Sequence, residues 1–86
     1  MQIDQFMDEL LINYIKEELH NGDENLEILP EDDLLGSGLV ESMGMMKIIG
    51  FIETEFEISV PPQDMIIENF LTVGAMVNYI SGKKKS

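Results

Sequence analysis

One serine of the sequence lies at the junction of a glycine-containing loop and a helix start, where chemical modification is favourable. In residues 36–46, GSGLVESMGMM, the pair Glu41-Ser42 separates the loop from the helical pattern that follows. A serine hydroxyl exposed at a helix N-terminus is well placed to carry a phosphodiester, because free backbone N–H groups and the helix dipole favour an anion by roughly 0.3 to 1 kcal/mol. The alternative is that Ser42 only caps the helix, the commonest role of a serine there. Spacing alone leaves both interpretations open.

Other catalytic or metal-binding chemistry has little support in the sequence. The chain has no cysteine, which excludes a cysteine nucleophile, a thiolate zinc site and a disulfide framework. The single histidine, His20, falls at the predicted end of the first helix, where an imidazolium complements the helix dipole, so we assign it no functional role. The acids of residues 21–33 lack the spacing of an EF-hand calcium loop. We therefore predict no catalytic residue, no metal site and no enzymatic activity.

Amphipathic helices must position the serine. Apolar residues recur in steps of three and four from Ile3 to Leu19, which predicts a first helix over about residues 3–19 that ends at Asn21 and Gly22. A second helix is expected to begin near Ser42 and to bury one stripe of side chains. The residues of that stripe are Met45, Ile48, Ile49, Ile52 and Phe56.

The remaining segments are a long connection and two C-terminal helices. Residues 20–41 show no sustained period, so we predict an ordered crossover loop with one helical turn near residues 32–35. A short helix over residues 63–68 leads to a last helix with Thr72 as its N-cap and Gly82 as its stop. The pattern predicts an all-α fold, a small four-helix bundle with a long loop between helices 1 and 2, a short third helix and almost no strand.

Length and charge limit the class of protein further. A chain of 86 residues builds one modest core and is too small to enclose an active site readily. The net charge is −12, and residues 1–82 hold 17 acids against 2 lysines, a balance of −15, whereas we assign residues 83–86 to a flexible basic tail. Such a surface repels nucleic acid and anionic membranes and attracts basic partners, although acidity that only keeps a domain soluble is an equally good interpretation.

The sequence carries no targeting signal. It has neither a basic N-terminal region followed by an apolar stretch nor an apolar run near the roughly 18 residues that span a bilayer. We therefore expect a cytoplasmic monomer that binds neither nucleic acid nor membrane, with residues 1–82 forming one domain.

The segment around Ser42 resembles the signature of the acyl carrier protein family. In that family a leucine-containing turn precedes Asp-Ser-Leu, and the serine receives 4'-phosphopantetheine; in this chain GLVESM, residues 38–43, has that place. The resemblance extends over roughly residues 3–81 and implies the family's four-helix fold, with Ser42 as the attachment site. Beyond the stripe of the second helix, the residues that share in the resemblance are Leu34, Glu53, Glu55, Val60, Pro61, Phe70, Leu71, Thr72, Val73, Tyr79 and Ile80.

The departures from the family pattern lie next to Ser42. Glu41 replaces the usual aspartate and Met43 the usual leucine, while Gly44 and Lys47 stand where general fatty-acid carriers have acids. Glu41 keeps a carboxylate that is one methylene longer, which alters its geometry towards the Mg²⁺ of the modifying transferase. The resemblance implies a carrier from a specialised pathway. The residues expected to be recognised by partners are Glu41, Met43, Met46, Lys47 and Glu53.

The resemblance implies a carrier protein and not an enzyme. Because the chain has no cysteine, the thiol must come with the 4'-phosphopantetheine arm, which would hold an acyl or aminoacyl group as a thioester for enzymes of a fatty acid, polyketide, nonribosomal peptide or related pathway. The expected partners are a phosphopantetheinyl transferase and acyl- or aminoacyl-loading and acyl-transfer enzymes with basic patches. Ser37 is the competing attachment site. The alternatives, a small acidic helical interaction module or a nucleic-acid mimic without a prosthetic group, leave the Glu41-Ser42 junction unexplained.

Overall fold

A computed structural model of the chain describes residues 2–85, with side chains described for residues 6–84. The predicted all-α bundle is confirmed, because four α-helices form the fold and no strand occurs in the described range. The helices are α1, Gln2–Tyr14, extended by a π-helical turn, Ile15–Leu19; α2, Ser42–Phe56; α3, Ile67–Phe70; and α4, Val73–Lys85. A 3-10 turn, Pro62–Asp64, precedes α3.

The apolar faces of α1, α2 and α4 meet in one core. All five residues of the stripe predicted for α2 are buried, and no polar or charged side chain is buried in the described part of the chain. At the edge of the core, the rings of Tyr14 and Phe51 stack with their centres 4.1 Å apart and join α1 to α2. The residues that are entirely without exposed surface include Leu11, Ile15, Leu34, Ile48, Ile52, Met76 and Ile80. α2 and α4 thus bury the faces that their three-and-four spacing predicted. In α1 the predicted face is buried at Met7, Leu11 and Ile15 but not at Phe6, which is 60% exposed.

The end of the first helical segment is set by two residues in the left-handed conformation. Asn21 has a φ of 56° and Gly22 a φ of 70°, values that asparagine and glycine tolerate best. The N–H groups of His20 and Gly22 donate to the Lys16 carbonyl at 3.2 and 2.7 Å. The predicted helix stop is therefore confirmed.

The long connection between α1 and α2 is ordered by side-chain burial and backbone hydrogen bonds. Ile28, Leu34 and Val40 are buried in the core. The Leu34 N–H donates to the Leu71 carbonyl and the Val40 N–H to the Leu34 carbonyl, both at 2.9 Å. The helical turn predicted near residues 32–35 is instead a series of hydrogen-bonded turns over residues 34–38.

The helix predicted over residues 63–68 is divided in the structure. The 3-10 turn occupies Pro62–Asp64 and α3 begins only at Ile67, since Ile66 between them has an extended backbone with φ −112° and ψ 155°. The Asn69 side-chain amide donates to the Asp64 carbonyl at 2.8 Å and satisfies it without a continuous helix. The prediction of one continuous helix over residues 63–68 is therefore wrong.

The last helix begins where the sequence predicted and ends later. The Ala75 N–H donates to the Thr72 Oγ1 at 2.9 Å, which confirms Thr72 as the N-cap. Gly82 does not stop the helix, because α4 continues to Lys85. The helix end predicted at Gly82 is therefore wrong, and Ser86 of the assigned tail lies outside the described residues.

Contacts of two lysines account for the longer α4. The Lys84 Nζ donates to the Phe56 carbonyl at the end of α2, at 2.8 Å. The Lys83 Nζ lies 3.9 Å from the Asp64 Oδ2 and 6.0 Å from the centre of the Tyr79 ring. Both side chains have acceptors only if the helix continues past residue 82, so these contacts favour continuation.

Candidate functional site

Ser42 is the first residue of α2, and its side chain is exposed. Glu41 before it is the N-cap, with an extended backbone of φ −95° and ψ 173°. The first backbone hydrogen bond of the helix runs from the Met45 N–H to the Glu41 carbonyl at 2.8 Å. The N–H groups of residues 42–44 therefore precede the helical bonds and have no acceptor within the helix.

The geometry does not support a capping role for Ser42. A capping serine stands at the N-cap and accepts a hydrogen bond from an N–H two or three residues later. Glu41 occupies that position, and its side chain makes no capping hydrogen bond. Within residues 2–85 the Ser42 hydroxyl has no hydrogen-bond partner. The helix start thus presents a free hydroxyl beside unpaired backbone donors.

The competing serine of the loop has a structural role. The Ser37 Oγ donates to the Leu34 carbonyl at 3.4 Å and accepts the Leu39 N–H at 3.3 Å. Gly38 between these residues has a φ of 82°, which a residue with a side chain rarely adopts. Ser37 therefore stabilises the turn that leads to Ser42.

His20 holds this turn from the end of the first helical segment. Its Nε2 lies 2.7 Å from the Leu39 carbonyl, to which it donates. This contact could not be predicted from the sequence, because the two residues are 19 positions apart and belong to segments whose relative placement depends on the whole fold. His20 is thus a positioning residue for the loop before Ser42.

Gly44 lets the end of the first helical segment approach α2 closely. A Cβ atom at this position would lie 3.2 Å from the Leu19 Cδ1 and 3.4 Å from the Val40 Cγ1. A cleft of about 410 Å³ opens between the two segments, lined by Leu19, His20, residues 38–41, Met43, Gly44 and Lys47. Close packing with Leu19 is therefore one physical reason why residue 44 is a glycine, whereas general fatty-acid carriers have an acid there.

A second, apolar depression lies on the other side of α2. This α2–α3 groove has a volume of about 120 Å³, and its lining includes Met45, Met46 and Ile49 of α2 together with residues 65–67. Ser42 precedes Met45, Met46 and Ile49 by three, four and seven residues, the spacing at which helical side chains share a face. A group attached to Ser42 is therefore in register with the groove.

The segment before α3 is attached to α4 by a polar cluster. The Tyr79 hydroxyl donates to the Asp64 Oδ2 at 2.7 Å. Burial, followed by the hydrogen bond and charge of Asp64, raises the pKa of Tyr79 to about 12. This cluster keeps residues 65–67, one wall of the α2–α3 groove, in place.

The residues expected to meet partners differ in their surroundings. The Glu53 side chain is half-buried, and its Oε2 accepts the Val60 N–H at 2.9 Å, so it joins α2 to the segment after it. The sequence did not distinguish Glu53 from the other four residues, because the donor is the backbone N–H of Val60 and the type of residue 60 does not reveal such a bond. The other four are exposed at the start of α2: Glu41, Met43, Met46 and Lys47.

The described residues offer no grouping of three histidine, aspartate or glutamate side chains that would hold a metal ion. None of the helices formed by residues 2–85 has the length and apolar character needed to cross a membrane. The chemistry that the site does offer is that of one exposed hydroxyl, with a carboxylate before it and an apolar groove after it.

Comparison with known proteins gives a family match. The family model described as phosphopantetheine attachment site matches residues 9–80, which are 72 of the 86 residues. The matched span includes the end of α1, all of α2 with Ser42, α3, and α4 as far as Ile80. A search of curated proteins finds no significant match.

Proposed function

The chain belongs to the phosphopantetheine attachment site family and is a phosphopantetheine-bearing carrier protein, and we propose that Ser42 is the residue that carries the arm. One observation supports this above all: the Ser42 hydroxyl is exposed at the first position of α2 and has no partner within the described residues. Ser37, the competing serine, uses its hydroxyl in the loop turn.

The start of α2 fits the phosphodiester of a 4'-phosphopantetheine arm. The N–H groups of residues 42–44 and the helix dipole favour an anion there, by roughly 0.3 to 1 kcal/mol. Glu41 supplies an exposed carboxylate beside the attachment point, suited to help hold the Mg²⁺ that the modifying transferase uses. The arm supplies the thiol that this chain, which has no cysteine, lacks.

The α2–α3 groove gives the arm and its cargo an apolar place to rest. Met46 and residues 65–67 line it and remain partly exposed, so an apolar group laid there removes their surface from water. In our proposal the cargo is an acyl or aminoacyl group held as a thioester for the enzymes of a specialised biosynthetic pathway. The replacement of acids by Gly44 and Lys47 supports a specialised pathway over general fatty-acid synthesis.

The partners in this proposal are a phosphopantetheinyl transferase and the enzymes that load and remove the cargo. A tether on Ser42 raises the effective concentration of the cargo at each enzyme in turn. The net charge of −12 attracts positively charged regions of these enzymes over a long distance and speeds their encounter. Each complex must then be short-lived, so that the next enzyme can bind.

The attachment site is tested by incubating the protein with coenzyme A, Mg²⁺ and a broad-specificity phosphopantetheinyl transferase, followed by intact-mass spectrometry. We expect a mass gain of one phosphopantetheine in the wild type and in Ser37→Ala, and no gain in Ser42→Ala. The Ser37→Ala variant is the matched control, since it removes the neighbouring loop hydroxyl. No gain in the wild type, or a gain that survives Ser42→Ala, would contradict the proposal.

A further inference from the structure

The exposed start of α2 lacks the negative charge that dominates the rest of the chain. The sequence has 17 acids, yet none lies between Glu41 and Glu53, and Lys47 is the one charged residue in that interval. Lys47 is exposed, and within the described residues its side chain has no ion pair. Over residues 42–52, the first three turns of α2, the one charge is therefore positive, in a chain whose net charge is −12.

Large apolar side chains adjoin this lysine. Met46 and residues 65–67 line the α2–α3 groove, while Met43 and Lys47 line the cleft towards α1, so the exposed apolar surface continues from one side of α2 to the other. Exposed clusters of this kind mark interaction sites. We name the set the α2–α3 apolar surface; its members and their exposed fractions are Met43 79%, Met46 57%, Met65 39%, Ile66 48% and Ile67 61%.

A protein that covers Met43 also removes water from Lys47, because Lys47 lies four residues later on the same helix face and lines the same cleft. A cation that loses water without gaining a partner is strongly disfavoured. A basic patch on the incoming protein would add repulsion to that cost, whereas a carboxylate would pair with the ammonium group. The local charge therefore favours an acid-bearing partner, although the net charge of the chain favours a basic one.

We infer that the enzymes which act on the arm contact this face through an apolar surface that carries a carboxylate opposite Lys47. The inference rests on the proposed function, which supplies the enzymes and the attachment point. The acids outside residues 42–52 attract basic regions of the enzyme at long range. The direct contact at the start of α2 is apolar and includes one ion pair, in which this chain supplies the cation and the enzyme the carboxylate. The partner is thus a protein surface with an apolar depression and a carboxylate side chain at its edge.

The test uses the phosphopantetheinyl transferase of the organism that encodes this chain and measures kcat/KM for arm transfer by intact mass. The variants are Lys47→Glu, Lys47→Met, Met43→Gln and Lys16→Glu. Lys16→Glu is the matched control, because it makes the same change in net charge in the π-helical turn after α1, outside the α2–α3 apolar surface. Thermal unfolding of each variant verifies that the fold is kept.

We expect Lys47→Glu to lower kcat/KM by about tenfold or more and Lys47→Met by about threefold, since the first adds repulsion and the second only removes the pair. Met43→Gln is expected to lower it by about fivefold through the lost apolar contact, and Lys16→Glu by less than about twofold. A substitution of the transferase carboxylate by lysine should restore the rate with Lys47→Glu.

Three results overturn the inference and leave the proposed function intact. The first is a higher kcat/KM for Lys47→Glu, which would place a basic group opposite residue 47. The second is an equal loss of kcat/KM for Lys47→Glu and Lys16→Glu, which would show that net charge alone decides. The third is a wild-type protein that is a dimer in light scattering and becomes a monomer with Lys47→Glu. This result would show that a second copy of the chain covers the surface. A wild type that no transferase modifies contradicts the proposed function and the inference with it.

Discussion

Gly44 and Gly50 lie on the same helix in different surroundings. A Cβ at residue 44 would meet the Leu19 Cδ1 at 3.2 Å, whereas a Cβ at residue 50 would have nothing within 4 Å. Both glycines carry the same cost in helix propensity, so the difference between them isolates the packing of Leu19 on α2. Because residue 44 has no side chain, Leu19 and the loop residue Val40 can pack closely on α2. The position of the loop before Ser42 therefore depends on glycine at this position.

Alanine substitution separates the two glycines. We expect Gly50→Ala to raise the free energy of unfolding by about 1 kcal/mol, the gain in helix propensity. Gly44→Ala should forfeit this gain, because displacement of Leu19 costs on the order of 1 kcal/mol or more. Urea denaturation of both variants measures the two free energies. Equal stabilisation by the two substitutions would show that Leu19 moves aside freely.

Two hydroxyl residues at helix starts show what the sequence predicts at the residue scale. Thr72 stands at the N-cap of α4 and accepts the Ala75 N–H, while Ser42 stands one position inside α2 and has no such bond. The sequence located both helix starts, and the resemblance to acyl carrier proteins singled out Ser42. Spacing could not separate a cap from a first helical residue, because a shift of one position is within the uncertainty of any helix boundary.

At the scale of elements, the long helices were predictable and the short ones were not. The stripes of α1, α2 and α4 repeat over several turns, so a single misplaced residue does not hide them. The 3-10 turn and α3 hold three and four residues, too few for a period, and their place depends on contacts such as that of Tyr79 with Asp64. The end of α4 also depends on a contact between distant residues, because the Lys84 side chain donates to the Phe56 carbonyl 28 positions away.

The length of α4 is tested at Gly82. A helix that continues to Lys85 has Gly82 in a helical backbone, and a Cβ there would have nothing within 4 Å. We expect Gly82→Ala to raise the free energy of unfolding by about 0.5 to 1 kcal/mol, because alanine loses less backbone entropy in a helix. Thermal unfolding of the variant and the wild type measures this. A destabilised variant would indicate that Gly82 ends the helix in a left-handed conformation.

At the scale of the whole molecule, negative charge opposes the compact state. The core is apolar, with no buried polar or charged side chain among the described residues, and the net charge of −12 is carried on the surface. The contact between Lys83 and Asp64 is long, at 3.9 Å, and both side chains are only half-buried, so a surface pair of this kind contributes little. Self-repulsion of the acids therefore outweighs attraction between opposite charges.

Salt should accordingly stabilise the protein. Raising sodium chloride from about 20 to 300 mM shortens the Debye length from roughly 20 Å to below 10 Å and screens the repulsion among acids. We expect a gain of about 1 kcal/mol, which raises the Tm by roughly 4–8 °C in a domain of this size. Calorimetry at the two salt concentrations gives both Tm values. A Tm that falls with salt would mean that attractive pairs dominate the surface.

The placement of the two tyrosines has a spectroscopic consequence. The chain has no tryptophan, so Tyr14 and Tyr79 are its fluorophores. Tyr14 is stacked on Phe51 between α1 and α2, and Tyr79 donates to a carboxylate beside the α2–α3 groove, which are different quenching environments. The protein thus contains two native optical reporters without any label: one follows the joint between α1 and α2, and the other follows the wall against which a cargo would rest.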